Sequence, residues 1–450
     1  MCRIQDIKIP DEVKYIIDKL ENNGFEAYAV GGCVRDSLLG KEPQDWDVCT
    51  SALPEETIQS FAGHHIIETG LQHGTVTLML NHKPFELTTF RTDGKYTDNR
   101  RPEKVRFVNV LKRDIARRDF TINSLAYNPK TGLTDYYGGQ QDLEEKKIKC
   151  VGNPNKRFQE DALRIMRALR FACVFGFSID SDTAKAMRGN KKLLHNIAVE
   201  RIASEFNKLI LGDGARDILS PHIEIIAEVI PELTPAIGFK QNNPYHCYDV
   251  LEHILYSMEA APKDLIIRLA LFLHDIGKPA CYTESDDGIG HFHGHQQVSS
   301  DMAKEILARL KYDNDTIKTV TQLVLYHDIN IQADSKIIKR RLNKIGEEQF
   351  RRLIEVKRAD MTAHAKEARE KGLFLIEEIL SVLDEIIAQQ QCFSLKDLAV
   401  NGRDLIAAGV PQGAQIGVVL NKLMDMVIDE IIENDKAVLL KKAIDFPANM

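Results

Sequence analysis

In 450 residues the chain has one tryptophan, no Cys-x-x-Cys pair among eight cysteines, and no decided sign of charge. Each scarcity excludes something. Scattered cysteines rule out a zinc knuckle or disulfide frame and suit reduced thiols in a cytosol. The opening "MCRIQDIKIPDEVKYII" has no apolar signal core, and no stretch reaches about 18 uncharged apolar residues. The expectation is therefore a soluble, cytoplasmic chain with no membrane partner and no evident protein partner. With 59 Lys+Arg against 66 Asp+Glu the net charge is -7, so any nucleic-acid surface must be local. Neither internal repeats nor low-complexity tracts occur, and the length is too great for one ordinary core, so two to four domains are expected.

What is present changes texture along the chain. Residues 25–30 (FEAYAV), 75–80 (TVTLML) and 85–90 (FELTTF) are short and rich in aromatic and β-branched side chains, and they read as strands. From about Arg157 onward helical periodicity takes over, as in "EDALRIMRALRFACVF" and "VLEHILYSMEAA", and the C-terminal "DMVIDEIIENDKAVLLKKAI" reads as an amphipathic helix. The fold class is α+β, with an α/β head and a helical remainder.

The chemistry begins in "AYAVGGCVRDSLLGKEPQDWDVCTS", residues 27–51. Gly31 and Gly32 follow a predicted strand and open a helical stretch, so backbone N–H groups there can approach a phosphate closely. Asp45 and Asp47 are two residues apart; on an extended segment both carboxylates point to one side. Two like charges so held call for a cation between them. Mg²⁺ suits hard carboxylate oxygens and is commonly shared with substrate phosphates, which points to phosphoryl or nucleotidyl transfer. Glu86, in "PFELTTFR", is the candidate third carboxylate; periodicity leaves open whether it faces the metals or water.

Between Arg91 and Arg118 ten Lys/Arg stand against four Asp/Glu, a local surplus of six positive charges. This is a landing place for triphosphate and RNA backbone, and the Gly, Asp and Asn content of residues 92–101 reads as a mobile loop. Further on, "RFQEDALRIMRALRF" places Arg157, Glu160, Asp161, Arg164 and Arg167 on one face of a single predicted helix. Asp161 can accept from an exocyclic amino group while Arg164 donates to the adjacent ring nitrogen. Cytosine and adenine share that edge, so such a pair selects C and A without a nucleic-acid template.

The ordered set "GGCVRDSLLG", "DWD", "RRDFTIN", "DYYGG" and "RFQEDALRIMRALRF", within about the first 175 residues, closely resembles the class II tRNA nucleotidyltransferases, or CCA-adding enzymes. The resemblance implies a polymerase β-like nucleotidyltransferase head, an all-α neck, a helical domain and a helical tail. It implies that Asp45 and Asp47 hold two Mg²⁺ ions, with Glu86 completing the catalytic set. Gly31, Gly32, Arg35 and Asp36 would contact triphosphate or ribose. Arg117, Arg118, Asp119 and Asn123 would form a second nucleotide-contacting motif, and Glu160, Asp161 and Arg164 a base-selecting one. The implied partners are tRNA, CTP and ATP, with "LAVNGRDLIAAGVPQGAQIGVVLNKL" similar to a tail that grips the tRNA elbow.

A second signal is "NPYHCYDVLEHILYSM" followed by "LALFLHDIGKPA", with His253 lying 21 residues before His274-Asp275. This resembles the HD metal-dependent phosphohydrolase superfamily, whose imidazole and carboxylate ligands suit a divalent transition metal that activates water. Asp328, in "LVLYHDIN", is the expected final ligand; His246, His291, His293, His295 and His327 are also available.

The expected divisions are 1–140 for the catalytic head, 141–220 for the neck, 221–345 for an HD-type helical domain, and 346–450 for a tRNA-binding body and tail. The function implied is addition of C, C and A to the tRNA 3′ end. A poly(A) polymerase or an A-only enzyme of the same family would share nearly every head motif. A non-catalytic RNA-binding HD protein would not need Asp45, Asp47 and Asp161 together. From the resemblance, CC-only members lack part of the loop that here reads "RTDGKYTDNRRPEKVRF", which argues against CC-only addition.

Overall fold

A short mixed sheet carries the head's candidate residues. The computed structural model describes residues 7–94 and 105–446. Among the described residues, nine strands are formed before residue 136: β1 Ala27–Val30, β2 Asp47–Thr50, β3 His65–Ile67, β4 Thr75–Leu80, β5 Lys83–Thr89, β6 Arg91–Asp93, β7 Val105–Phe107, β8 Leu125–Asn128 and β9 Gly132–Asp135. Seven pair into one sheet in the order β3-β4-β5-β2-β1-β8-β9, while β6 and β7 form a separate antiparallel ribbon. Within the seven-stranded sheet only the β2–β5 pair is parallel. The three strands read from sequence are present, and the loop expected at residues 92–101 is in part strand, since Thr92 and Asp93 belong to β6. Residues 95–104 of that stretch lie outside the described residues.

The β4–β5 turn consists of Asn81 and His82, both with positive φ (49° and 62°). Such a two-residue turn matches the right-handed twist of the strands it joins. It fixes the register Thr77↔Glu86, and the next strand over adds Asp47↔Glu86. Under the sheet, Val30, Cys49, Phe90, Leu111, Ile115 and Ala126 form a buried cluster. The helix Asp11–Asn22 buries Val13, Ile16, Ile17 and Leu20 at helical spacing.

The chain divides into two compact units, Met1–Pro231 and Glu232–Met450. The second is built from helices including Val250–Ala260, Leu265–Leu273, His295–Arg309, Asn314–Tyr326 and Glu347–Thr362. Asp249, Asp264 and Asp313 each accept a backbone N–H in the first turn of the helix they precede. An aspartate there satisfies a donor that the helix leaves orphaned and complements its positive end. The C-terminal segment read as one helix is two, Ala414–Ile428 and Lys436–Ile444: Glu430 adopts a positive φ of 59°, and Asp435 caps the second. No helix among the described residues is long and apolar enough to cross a membrane.

Candidate functional site

The turn after β1 is a strand-to-helix connection, with Gly32–Leu38 as the helix. Gly31 has φ 85° and ψ -127°, a region that residues with a Cβ rarely adopt. A Cβ there would also stand 2.8 Å from an Nη of Arg118, so glycine lets that guanidinium lie against the turn. Burial works against the Arg118 charge, but Asp114 and Asp47 help to hold it above the usual arginine range. Asp114 is fully buried and takes Arg117 at 2.9–3.0 Å and the Arg91 backbone N–H at 3.2 Å, with Arg118 3.6 Å away. This anchor escaped the sequence reading, although its spacing of three and four residues before Arg117 and Arg118 was a visible signal.

Asp47 and Glu86 are register partners on adjacent parallel strands, so their side chains leave the sheet on the same face. That resolves the direction of Glu86. Both remain accessible to solvent. The Asp47 carboxyl is nonetheless raised, first by loss of hydration, with Arg118 opposing and Glu86 and Asp45 adding to the rise. Asp45, on the loop that enters β2, and Glu86 thus lie near enough to Asp47 to add to that rise, and carboxylate oxygens suit a hard divalent cation, which would relieve the repulsion.

Behind this edge runs a buried polar chain. Arg35 donates two bonds to Asp36, at 2.8 and 2.9 Å, and one to Asn123 at 2.6 Å. Asn123 donates to Asp119 at 3.1 Å, and Asp119 receives two bonds from Arg167 at 2.6 and 2.8 Å. The Arg35 guanidinium also lies 4.6 Å from the Phe175 ring centre. Burial alone would raise the Asp119 carboxyl, but Arg167, Asn123 and Arg164 bring it down to about 2.

The segment expected to select the base is not one helix. Helix Pro154–Glu160 ends, Asp161 takes an extended conformation (φ -140°, ψ 104°), and a new helix runs Leu163–Phe175. The break is local chemistry: Asp161 Oδ1 accepts the Leu163 N–H at 3.1 Å, the cap-like bond with which aspartate competes against continued helix. Arg164 pairs with Glu160 at 3.0 Å and donates to the carbonyls of Arg157 and Arg117, while Asp161 faces Arg201 at 3.5 Å. Three of the five Arg164 N–H donors are thus used within the protein.

Comparison with known proteins agrees with this arrangement. Residues 27–149 match the family model described as "Poly A polymerase head domain". Residues 176–236 match "Probable RNA and SrmB- binding site of polymerase A", and 283–443 match tRNA nucleotidyltransferase domain 2. A CCA-adding enzyme from Lactobacillus delbrueckii subsp. bulgaricus is 35% identical over 439 residues, 98% of each chain. The chain belongs to the CCA-adding enzyme family. A second member, from Ligilactobacillus salivarius, is 33% identical, with 97% of each chain covered. The crystal structure of the Bacillus stearothermophilus CCA-adding enzyme in complex with CTP superposes with a TM-score of 0.69 at 28% identity, covering 97% of this chain and 96% of that one.

In this member of the CCA-adding enzyme family the second unit holds another cluster. His253 comes from helix Val250–Ala260, His274 and Asp275 from the turn closing Leu265–Leu273, and Asp360 from helix Glu347–Thr362. His253 Nε2 lies 2.8 Å from Asp360 and 3.3 Å from Asp275; His274 Nε2 lies 3.5 and 3.2 Å from the same two carboxylates. Asp328 is not part of this group, contrary to the sequence expectation. It follows His327 directly; His327 is turned inward, and Asp328 stays exposed, on the wall of the adjoining cleft. The carboxylate in its place is Asp360, 85 residues beyond Asp275, a separation that no local pattern reveals. His295 and His327 also lie against Asp275, at 3.3 and 3.5 Å, whereas His291 and His293 only line the adjoining 260 Å³ cleft.

Proposed function

We propose that this chain adds C, C and A to the 3′ end of tRNA from CTP and ATP, releasing pyrophosphate. The observation that carries the reading is the Asp47–Glu86 register pair beside Asp45, set against the Gly31 turn. These three carboxylates would hold two Mg²⁺ ions, which supply charge stabilisation for the α-phosphate and a more acidic 3′-hydroxyl. The terminal hydroxyl of tRNA attacks the α-phosphorus in line and the bond to pyrophosphate breaks. Gly31, Gly32 and Arg118 form the floor beneath the triphosphate, and the Arg117 side chain is oriented by Asp114. Arg35, Asp36, Asp119 and Asn123 hold the ribose side, with Arg35 as the brace between the turn and the Leu163–Phe175 helix. Asp161 and Arg164, with Glu160 locking the arginine, read the amino-plus-acceptor edge of C and A. With tRNA as substrate, the place of action is the cytoplasm.

The proposed divisions stay at 1–140 for the head and 141–220 for the neck. The HD-type part begins near 221 and is extended past 345 to take in Asp360; the rest is the body and tail, with residues 398–423 gripping the tRNA elbow. Purified protein incubated with tRNA lacking CCA, with CTP and ATP singly and together, tests the reading. Addition of all three nucleotides is expected. Repeated A from ATP alone would mean a poly(A) polymerase, and A only after a preformed CC would mean an A-only enzyme.

The buried His253, His274, Asp275 and Asp360 favour a second reading, hydrolysis of phosphate esters with a divalent transition metal. Asp360 Oδ1 and both Asp275 oxygens are buried without a well-oriented hydrogen bond, although the Lys278 ammonium lies 2.6 Å from Asp275 Oδ2. Buried carboxylate oxygens so placed fit a metal. His274→Ala should abolish cleavage of p-nitrophenyl phosphate esters and leave CCA addition largely unchanged.

A further inference from the structure

In the first unit the helix Val199–Ile210 packs against Leu163–Phe175 and carries two charged residues one turn apart on the side that meets it, Arg201 and Glu205. Glu205 is 7% exposed; its Oε2 lies 2.9 Å from Arg170 Nε, and its Oε1 lies 3.8 Å from Arg167 Nη1. Arg201 Nη2 stands 3.5 Å from Asp161 Oδ2. The helix thus touches the segment expected to select the base at two points, one at its break and one on the helix beyond. Glu205 fixes the distance between the two helices, and Arg201 reaches the selecting carboxylate.

The two oxygens of Asp161 have different partners. Oδ1 accepts the Leu163 N–H, so Oδ2 is the oxygen left for the exocyclic amino group of a base, and it is the one that Arg201 faces. Arg167 also acts on the Asp161 charge, but its bonds go to Asp119. The placing of Arg201 brings the fold no gain. It lies in the first turn of its helix, where the dipole opposes a cation, and its Nη1 is buried without a hydrogen-bond partner among the described residues.

We infer that Arg201 is a positioning residue for nucleotide selection, holding Asp161 Oδ2 in place so that bases with a carbonyl at that edge are refused. This deepens the CCA reading above and rests on it for the role of Asp161. The effect is one-sided. The amino group of C or A attracts the carboxylate and draws it into position unaided. The carbonyl of U or G repels it, and a carboxylate held only through Oδ1 turns away and admits the wrong base. With Arg201 holding Oδ2 as well, the repulsion is felt in full, and selection against U and G gains by it. A guanidinium suits the task, being charged at every working pH and rigid in the plane of its donors.

The test compares kcat/KM for CTP and UTP on tRNA lacking CCA, using full-length wild type, Arg201→Leu, Arg201→Gln and Arg201→Lys. The UTP-to-CTP ratio should rise about 1.5- to 5-fold in the Leu and Gln variants, the effect of losing a part-exposed ion pair, with the change carried by UTP. Arg201→Lys keeps the charge and should return toward the wild-type ratio. Two uncharged variants of different shape guard against one that does not fold, and Trp46 fluorescence in urea shows which are folded. In an Asp161→Ala background Arg201→Leu should add no further rise, as a residue that acts through Asp161 requires. Equal slowing of CTP and UTP in folded variants makes Arg201 merely structural and overturns the inference. So does a rise of undiminished size in the Asp161→Ala background. If Asp161→Ala raises the ratio and the Arg201 variants do not, this inference alone falls; if Asp161→Ala leaves the ratio unchanged, the reading of Asp161 falls and takes it along.

Discussion

Acid should weaken the first unit through one residue, Asp119. Its carboxyl is held at about 2 in the fold, against about 3.9 in an unfolded chain. Burial alone would raise it; Arg167, Asn123 and Arg164 outweigh that. A carboxyl lowered on folding contributes stability above its unfolded pKa and loses it as pH falls through the folded value. The window is therefore about pH 4 down to about pH 2, and the full contribution is about 2.5 kcal/mol. Roughly half should be gone by pH 3. Asp119→Asn removes this titration and leaves Arg167 only the more distant Glu205, at 3.8 Å, as a charged partner, so it should be less stable than wild type by about 2–3 kcal/mol near neutrality, with the gap narrowing below pH 4. Trp46, the only tryptophan, is 8% exposed and lies in the first unit, so its fluorescence reports the unfolding of that unit. Urea titrations of both proteins at several pH values between 3 and 7 give the comparison. Parallel curves, with a constant gap down to pH 3, would refute the assignment of this charge to the Asp119–Arg167 network.

Asp47→Asn should abolish nucleotide addition at saturating Mg²⁺ while leaving thermal stability unchanged or raised, since it removes like charge beside Glu86 and Asp45; steady-state incorporation and melting curves check both halves. Gly31→Ala should cost about 1–3 kcal/mol by Trp46-monitored unfolding and lower activity further, because it forces an unfavourable φ and displaces Arg118. Asp161→Ala should raise the UTP-to-CTP incorporation ratio about 5- to 150-fold on tRNA lacking CCA, from roughly 1–3 kcal/mol of lost discrimination. An equal slowing of both nucleotides would mark Asp161 as only the residue that starts the Leu163–Phe175 helix.

The head was legible because its signals are local. A glycine pair between strand and helix, and two aspartates at period two, declare themselves within 20 residues. Glu86 was named by type but not by direction, because a strand's facing is decided by its neighbours' register. The continuous helix through Asp161 failed for another reason: periodicity counts positions, whereas the break comes from a side chain that bonds a nearby backbone N–H. Asp328 was expected from the local run "LVLYHDIN", and Asp360 was not seen at all. The cluster assembles from five separate elements, and the last of them is fixed only by how the Glu347–Thr362 helix packs.

The Asn81-His82 turn bears on how this sequence can vary in length. Strands alternate faces, so a single residue inserted between Leu80 and Lys83 that shifted the register of β5 would turn Glu86 toward the apolar side and lift Phe85 or Leu87 into its place. The carboxylate group would lose a member without any substitution at it. Surface hairpins usually tolerate insertions well; this one should not, and a library of one- and two-residue insertions there should be depleted of active clones far more than one built in the exposed turn around Lys130.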